Sequence, residues 1–120
     1  MTDNTFVVGY VNELEDADER VQTEVIELAC KEERLDLEKI FIATKNEEYN
    51  TQAELLAAIL DEPKKLTLVL AVTIDVFGKT ALEQGRCITA ILHLGAEVLL
   101  ANGIPIQDAL RNSWQNRGLT

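Results

Sequence analysis

Asn12, Glu13 and Asp75 each stand at the end of an apolar, β-branched segment. A parallel sheet would bring such segment ends to one edge, where carboxylates can hold Mg²⁺ beside an acceptor aspartate. Lys79 follows Asp75 closely and adds a cation to the same edge. Other candidate chemistry is thin. Ser113 is the sole serine and His93 the sole histidine; a lone imidazole late in a helix reads as a boundary residue rather than a zinc ligand. Cys30 and Cys87 stand far apart, each inside a helical pattern, and read as buried free thiols rather than a CxxC redox or metal pair. The six glycines, Gly9, Gly78, Gly85, Gly95, Gly103 and Gly118, never reach the GxGxxG or GxxxxGK spacing that cradles phosphates. No metal or cofactor is expected.

The elements that must position these residues alternate. Thr5–Val11 is short, apolar and β-branched, as suits a central strand covered on both faces. Asp16-Ala-Asp-Glu19 has capping-box spacing, and Val21, Val25, Leu28 and Ala29 then recur at helical intervals, predicting one apolar stripe as far as about Arg34. Leu37–Ala43 predicts a second strand and Lys45–Asn50 a loop. Thr51-Gln-Ala-Glu54 repeats the capping box ahead of a helix burying Leu55, Leu56, Ile59 and Leu60, which must stop before Pro63.

The run Leu66–Ile74 is the most apolar in the chain and predicts a strand ending at Asp75. Thr80-Ala-Leu-Glu83 is a third capping box, with Leu82, Ile88, Ile91 and Leu92 on one helix face and Gly95 as a left-handed terminator. Glu97–Ala101 supplies a fourth strand. Pro105 can open a last helix in which Ile106, Ala109, Leu110 and Trp114 share a side. Within it Arg111, Trp114 and Arg117 could form a small basic and aromatic patch, while Ile106, Leu110 and Trp114 are the candidate interface with the sheet or a second subunit.

Alternating strands and helices imply right-handed crossovers and a three-layer α/β fold, flavodoxin-like, with strand order 2-1-3-4 and helices on both faces. Residues 1–120 are expected to form a single domain. Ligands on such sheets bind beyond the carboxyl ends of the strands, where the winding direction reverses. That edge comprises Tyr10–Leu14, Thr44–Asn46, Thr73–Lys79 and Ala101–Ile104.

Charge narrows the choice of partner. The net charge of −10 is uneven, with 17 acids to 5 bases in residues 1–62 and 4 acids to 6 bases in residues 63–120. DNA affinity comes largely from Lys and Arg displacing phosphate counterions, so an acidic surface disfavours autonomous nucleic-acid binding. No apolar run approaches the roughly 20 residues of a spanning helix, and Met1–Asn4 lacks the character of a secretory signal, so a cytoplasmic protein without membrane contact is expected.

The order of elements and several local motifs resemble the amino-terminal catalytic domain of the resolvase and invertase family of serine recombinases. That family ends its first strand Tyr-x-Arg-x-Ser, places a Gln about a dozen residues later, and follows its third strand with Leu-Asp-Arg-Leu-x-Arg. Here the first strand ends Tyr10-Val11-Asn12-Glu13-Leu14, Gln22 lies in the next helix, and the third strand runs into Ile74-Asp75-Val76-Phe77-Gly78-Lys79. The match extends from about Phe6 to Ile104.

The resemblance implies that Tyr10, Gln22 and Asp75 are retained, and with them Gly78. Asn12 then stands for the first arginine, Leu14 for the nucleophilic serine, Val76 and Lys79 for the later arginines, and Gln52 for a further arginine. A leucine cannot attack a phosphodiester, and Asn or Val cannot clamp the charge that develops. Ser113 lies too far along the chain to replace the nucleophile. The expectation is a non-enzymatic, recombinase-like domain that dimerises or binds another protein in a regulatory role. The alternative is a small-molecule or phosphoryl-responsive domain like a receiver, using Asn12, Asp75 and Lys79, although a receiver would carry a tighter acidic pair after its first strand and a lysine after its last.

Overall fold

Eight consecutive uncharged residues, Thr5–Asn12, form strand β1, and it acquires neighbours on both sides. The computed structural model describes residues 5–14, 17–44, 48–62 and 66–117. Along the chain follow α1 (Glu19–Glu32), β2 (Leu37–Ala43), α2 (Glu48–Asp61), β3 (Leu66–Ala71), a 3₁₀ turn (Ile74–Phe77), α3 (Ala81–His93), β4 (Glu97–Leu100) and α4 (Ile106–Arg117). The strands make one all-parallel sheet in the order β2-β1-β3-β4. This is the expected α/β fold of flavodoxin-like type.

Crossovers between parallel strands are right-handed, and β1 to β2 runs across the sheet in the opposite sense to the next two. Thus α1 lies on one face, directly over Gly9, where an added Cβ would meet Ile26 at 3.1 Å. The opposite face carries α2 and α3, with α4 packed on α3. Val7, Val8, Val11, Val69 and Ala71 are fully buried between the layers. No helix of the described residues is long and apolar enough to cross a membrane.

Several local expectations are corrected. α1 does not bury Val21, Val25 and Leu28, which are exposed; it buries Gln22, Ile26 and Cys30. The Gln22 stripe wins because its amide serves backbone carbonyls at the end of β1, a need that apolar periodicity does not register. Asp18 caps this helix by accepting from the Val21 N–H at 2.9 Å, whereas Asp16 lies outside the described residues. α2 begins at Glu48, so residues 48–50 are helical rather than loop and Thr51 sits within the helix, buried, instead of capping it. Residues 45–47 and Pro63 lie outside the described residues.

Leu60, Leu82 and Leu92 are exposed because a helix on a sheet has only one inner face: Leu55 and Ile59 fill it on α2, and Ala81, Gln84, Ile88 and Ile91 on α3. β3 stops at Ala71, short of the predicted Ile74, because the chain tightens into the 3₁₀ turn. The third capping box forms as expected. Thr80 Oγ1 accepts from the Glu83 N–H, and the Glu83 carboxylate accepts from the Thr80 N–H. Gly95, at φ +88°, ends α3 in the left-handed region.

Candidate functional site

The winding direction reverses between β1 and β3, so the candidate site is the carboxyl edge of those two strands. β1 ends at Asn12, whose side chain turns inward. Asn12 Nδ2 donates to the Val76 carbonyl at 3.2 Å, and Asn12 Oδ1 accepts from the Glu13 N–H at 2.8 Å. Gln22, fully buried on the first turn of α1, donates through Nε2 to the Asn12 carbonyl at 2.5 Å and to the Ala17 carbonyl at 2.9 Å.

Across the crevice the 3₁₀ turn folds back over the sheet end. Val76 and Phe77 are fully buried, and the Phe77 ring stacks on Tyr10 with centroids 5.4 Å apart and planes 11° from parallel. Among the described residues Tyr10, Val76 and Phe77 bring apolar side chains to the end of the sheet. Leu14 also packs, half-buried, against the core.

A second glutamine repeats the device. Gln84, on the first turn of α3 and fully buried, donates through Nε2 to the Gly78 carbonyl at 3.0 Å and lies 3.5 Å from Asp75 Oδ1. Its Oε1 accepts from the buried Ser113 hydroxyl at 2.6 Å, which ties α4 to the same loop. Each glutamine therefore reads backbone carbonyls in the loop ahead of its own helix. Gln84 and Ser113 were not singled out as site-shaping residues by the sequence; a polar side chain inside the stripe Ala81, Gln84, Ile88, Ile91 was the available signal.

The structure thus brings Tyr10, Asn12, Gln22, Asp75 and Val76 together. Lys79 is exposed at the rim, where its backbone N–H donates to Glu83 Oε1 at 2.9 Å. Gln52 lies half-buried on α2 with no hydrogen bond to this group among the described residues. Gln22 Oε1 and the Thr73 hydroxyl are buried and meet no partner among the described residues. Asn12 Nδ2 faces the Val76 carbonyl, Glu13 is exposed, and Asp75 Oδ1 lies 3.5 Å from Gln84 Nε2. Among the described residues no group of three or more His, Cys, Asp or Glu is placed to hold a metal ion.

The other candidates are dispersed. His93 is exposed at the last residue of α3. Ser113 is buried against Gln84, while Arg86 and Arg111 are exposed; Arg111 makes a solvent-exposed ion pair with Asp108 at 3.6 Å, which contributes little. Ile106 and Leu110 pack partly on the chain's own core and Trp114 is 39% exposed. The side chain of Arg117 lies outside those described. Cys30 and Cys87 are free and buried; burial, and then the charge of Glu27, raises the Cys30 thiol pKa. A shallow hollow of about 540 Å³ beside Cys30 is lined by Glu27, Lys31, Arg34, Leu35, Asp36 and Leu37, at the amino end of β2 and away from the candidate site. No protein-family model matches this chain, and no curated protein sequence matches it.

Proposed function

We propose that this chain is a serine-recombinase-like domain without the family's chemistry, serving as a dimerisation or protein-interaction module in a regulatory role. The observation that carries this reading is the hydrogen bond from Asn12 to the Val76 carbonyl. Those are two of the positions at which the resemblance calls for arginines. Here they fasten strand to turn beside the stacked Tyr10 and Phe77 rings, and neither presents a guanidinium to a reacting phosphate. Leu14, at the position of the nucleophile, packs against the core. The family's phosphoryl transfer depends on a serine nucleophile and on preorganised guanidinium charge, and among the described residues this edge presents Leu14 and the rim cation Lys79 at positions where the resemblance calls for them. The acidity of residues 1–62 also opposes DNA.

The test has two arms. Incubated with supercoiled plasmid, the purified chain is expected to give neither nicking nor a denaturant-stable protein–DNA adduct; a covalent adduct would overturn the reading. Light scattering and pull-down from native extract are expected to find a dimer or a partner, and a strictly monomeric, partnerless chain would count against the module. Thermal shift with Mg²⁺ and acetyl phosphate is expected to leave the melting point unchanged. A rise would instead support the receiver-like alternative, since a ligand that prefers the native state raises its stability.

A further inference from the structure

The two faces of the sheet are unequally covered. Strands lie about 4.8 Å apart and a helix is about 10 Å across, so one helix covers roughly two strands and a four-stranded face needs two helices. Among the described residues the face opposite α1 carries α2, α3 and α4, whereas the α1 face carries α1 alone. The strand register shows which half is left open. Gly9 pairs with Leu70 and Leu70 with Leu99, so Leu99 of β4 points to the α1 side. On β4 the alternation is complete: Val98 and Leu100 are buried on the far face, while Glu97 and Leu99 on the α1 face are exposed, Leu99 by 42%.

α1 turns an apolar flank toward that open lane. Its Glu27 and Lys31 line the hollow beside Leu37, which sets that flank on the β2 side. Val25 lies on the other side of the buried Gln22–Ile26–Cys30 stripe, the side of β3 and β4, with Val21 and Leu28 further round toward the outer surface of the same flank; they are 38%, 47% and 57% exposed. Three large apolar side chains in register on a helix, with a fourth across the lane on the same face, form a patch and not scattered exposure. Its rim is acidic: Glu32 on α1 and Glu97 on β4 are exposed, as is Glu24, which makes a solvent-exposed ion pair with Arg20 at 3.6 Å.

We propose that this lane docks an amphipathic helix of a partner protein, its apolar stripe laid between α1 and β4 and its flanks carrying Lys or Arg. Helix-in-groove recognition reads apolar anchors spaced along one helix face in this way. The acidic rim selects basic flanks and opposes a second copy of this chain, which would set acid against acid. This inference rests on the reading of the chain as an interaction module and names the surface and partner class for it.

The test uses the full chain and a fluorescent Leu/Lys amphipathic helical peptide of about 18 residues, against a scrambled peptide of the same composition. Anisotropy is expected to show binding of the amphipathic peptide at least roughly tenfold tighter than the scrambled one. Val25→Glu with Leu28→Glu is expected to weaken it by roughly tenfold or more, although the added acids alone would strengthen attraction to a basic peptide. Leu99→Gln is expected to weaken it as well, with an unchanged circular dichroism spectrum in each variant. Equal binding of the two peptides, or wild-type binding by the Val25/Leu28 variant, overturns the inference. A dimer dissociated by Val25→Glu with Leu28→Glu also overturns the partner helix while leaving the module reading intact. A partner from the pull-down that ignores these substitutions separates the two claims in the same way.

Discussion

The Ser113 hydroxyl donates to Gln84 Oε1 at 2.6 Å, and both side chains are buried. Through that bond α4 is linked to the glutamine that holds the Gly78 carbonyl, so the last helix bears on the loop at the candidate site. Ser113→Ala leaves the Gln84 oxygen buried without its donor and is expected to lower stability by about 1–3 kcal/mol. Urea denaturation checks this. A double-mutant cycle with Gln84→Leu is expected to show coupling of about 0.5–3 kcal/mol, since the two residues belong to one network.

Gly78 is required by a close approach. A Cβ there would stand 2.5 Å from Glu83 Cβ and 2.9 Å from the Gln84 backbone nitrogen. Gly78→Ala must push the loop off the start of α3, and with it the Thr80–Glu83 capping box. A loss of about 1–3 kcal/mol is expected, read as a lower urea midpoint with an unchanged slope.

Arg34 offers the opposite sign. Its φ of +57° puts a residue with a Cβ in the left-handed region after α1, and the bonds Leu35 N–H to Cys30 O and Arg34 N–H to Lys31 O close the helix end around it. Gly95 does the same after α3 with no Cβ to crowd. Arg34→Gly is expected to raise stability by about 0.5–1 kcal/mol, and Gly95→Ala to lower it by a similar amount. Thermal melts of the two variants check both signs.

Cys30 predicts a pH dependence. Burial, with Glu27 adding to it, raises the thiol pKa in the folded chain above its ordinary value. The folded state therefore keeps its proton where the unfolded chain releases it. The contribution is fully present below the unfolded pKa, about 8.5, and is lost as pH rises through the folded one. Urea midpoints measured on either side of about pH 9 are expected to fall more steeply in the wild-type chain than in Cys30→Ala. Equal slopes would contradict it.

Strand periods were legible in the sequence wherever burial on both faces left an unbroken β-branched run, and the topology follows from their alternation with helices. β2 matches its expected bounds, Leu37–Ala43. The inner faces of the helices were harder to read. α1 offers two stripes one residue apart, and the more apolar of them is the exposed one. Choosing between Val21–Val25–Leu28 and Gln22–Ile26–Cys30 requires knowing that the end of β1 leaves carbonyls in need of a donor. The 3₁₀ turn had the same obstacle: Leu66–Ile74 reads as continuous strand, and only the fold shows Val76 and Phe77 turning back over Tyr10.

The position of β1 between β2 and β3 bears on the order in which the chain can be assembled. Thr5 lies opposite Leu66, so β1 has no second neighbour until about sixty further residues have been synthesised. Ring closure over that span precedes any reward from the contact, which places folding on the slow side for a domain of this length. A nascent chain released before Leu66 carries one strand pair and an uncovered apolar edge, the species most in need of a chaperone.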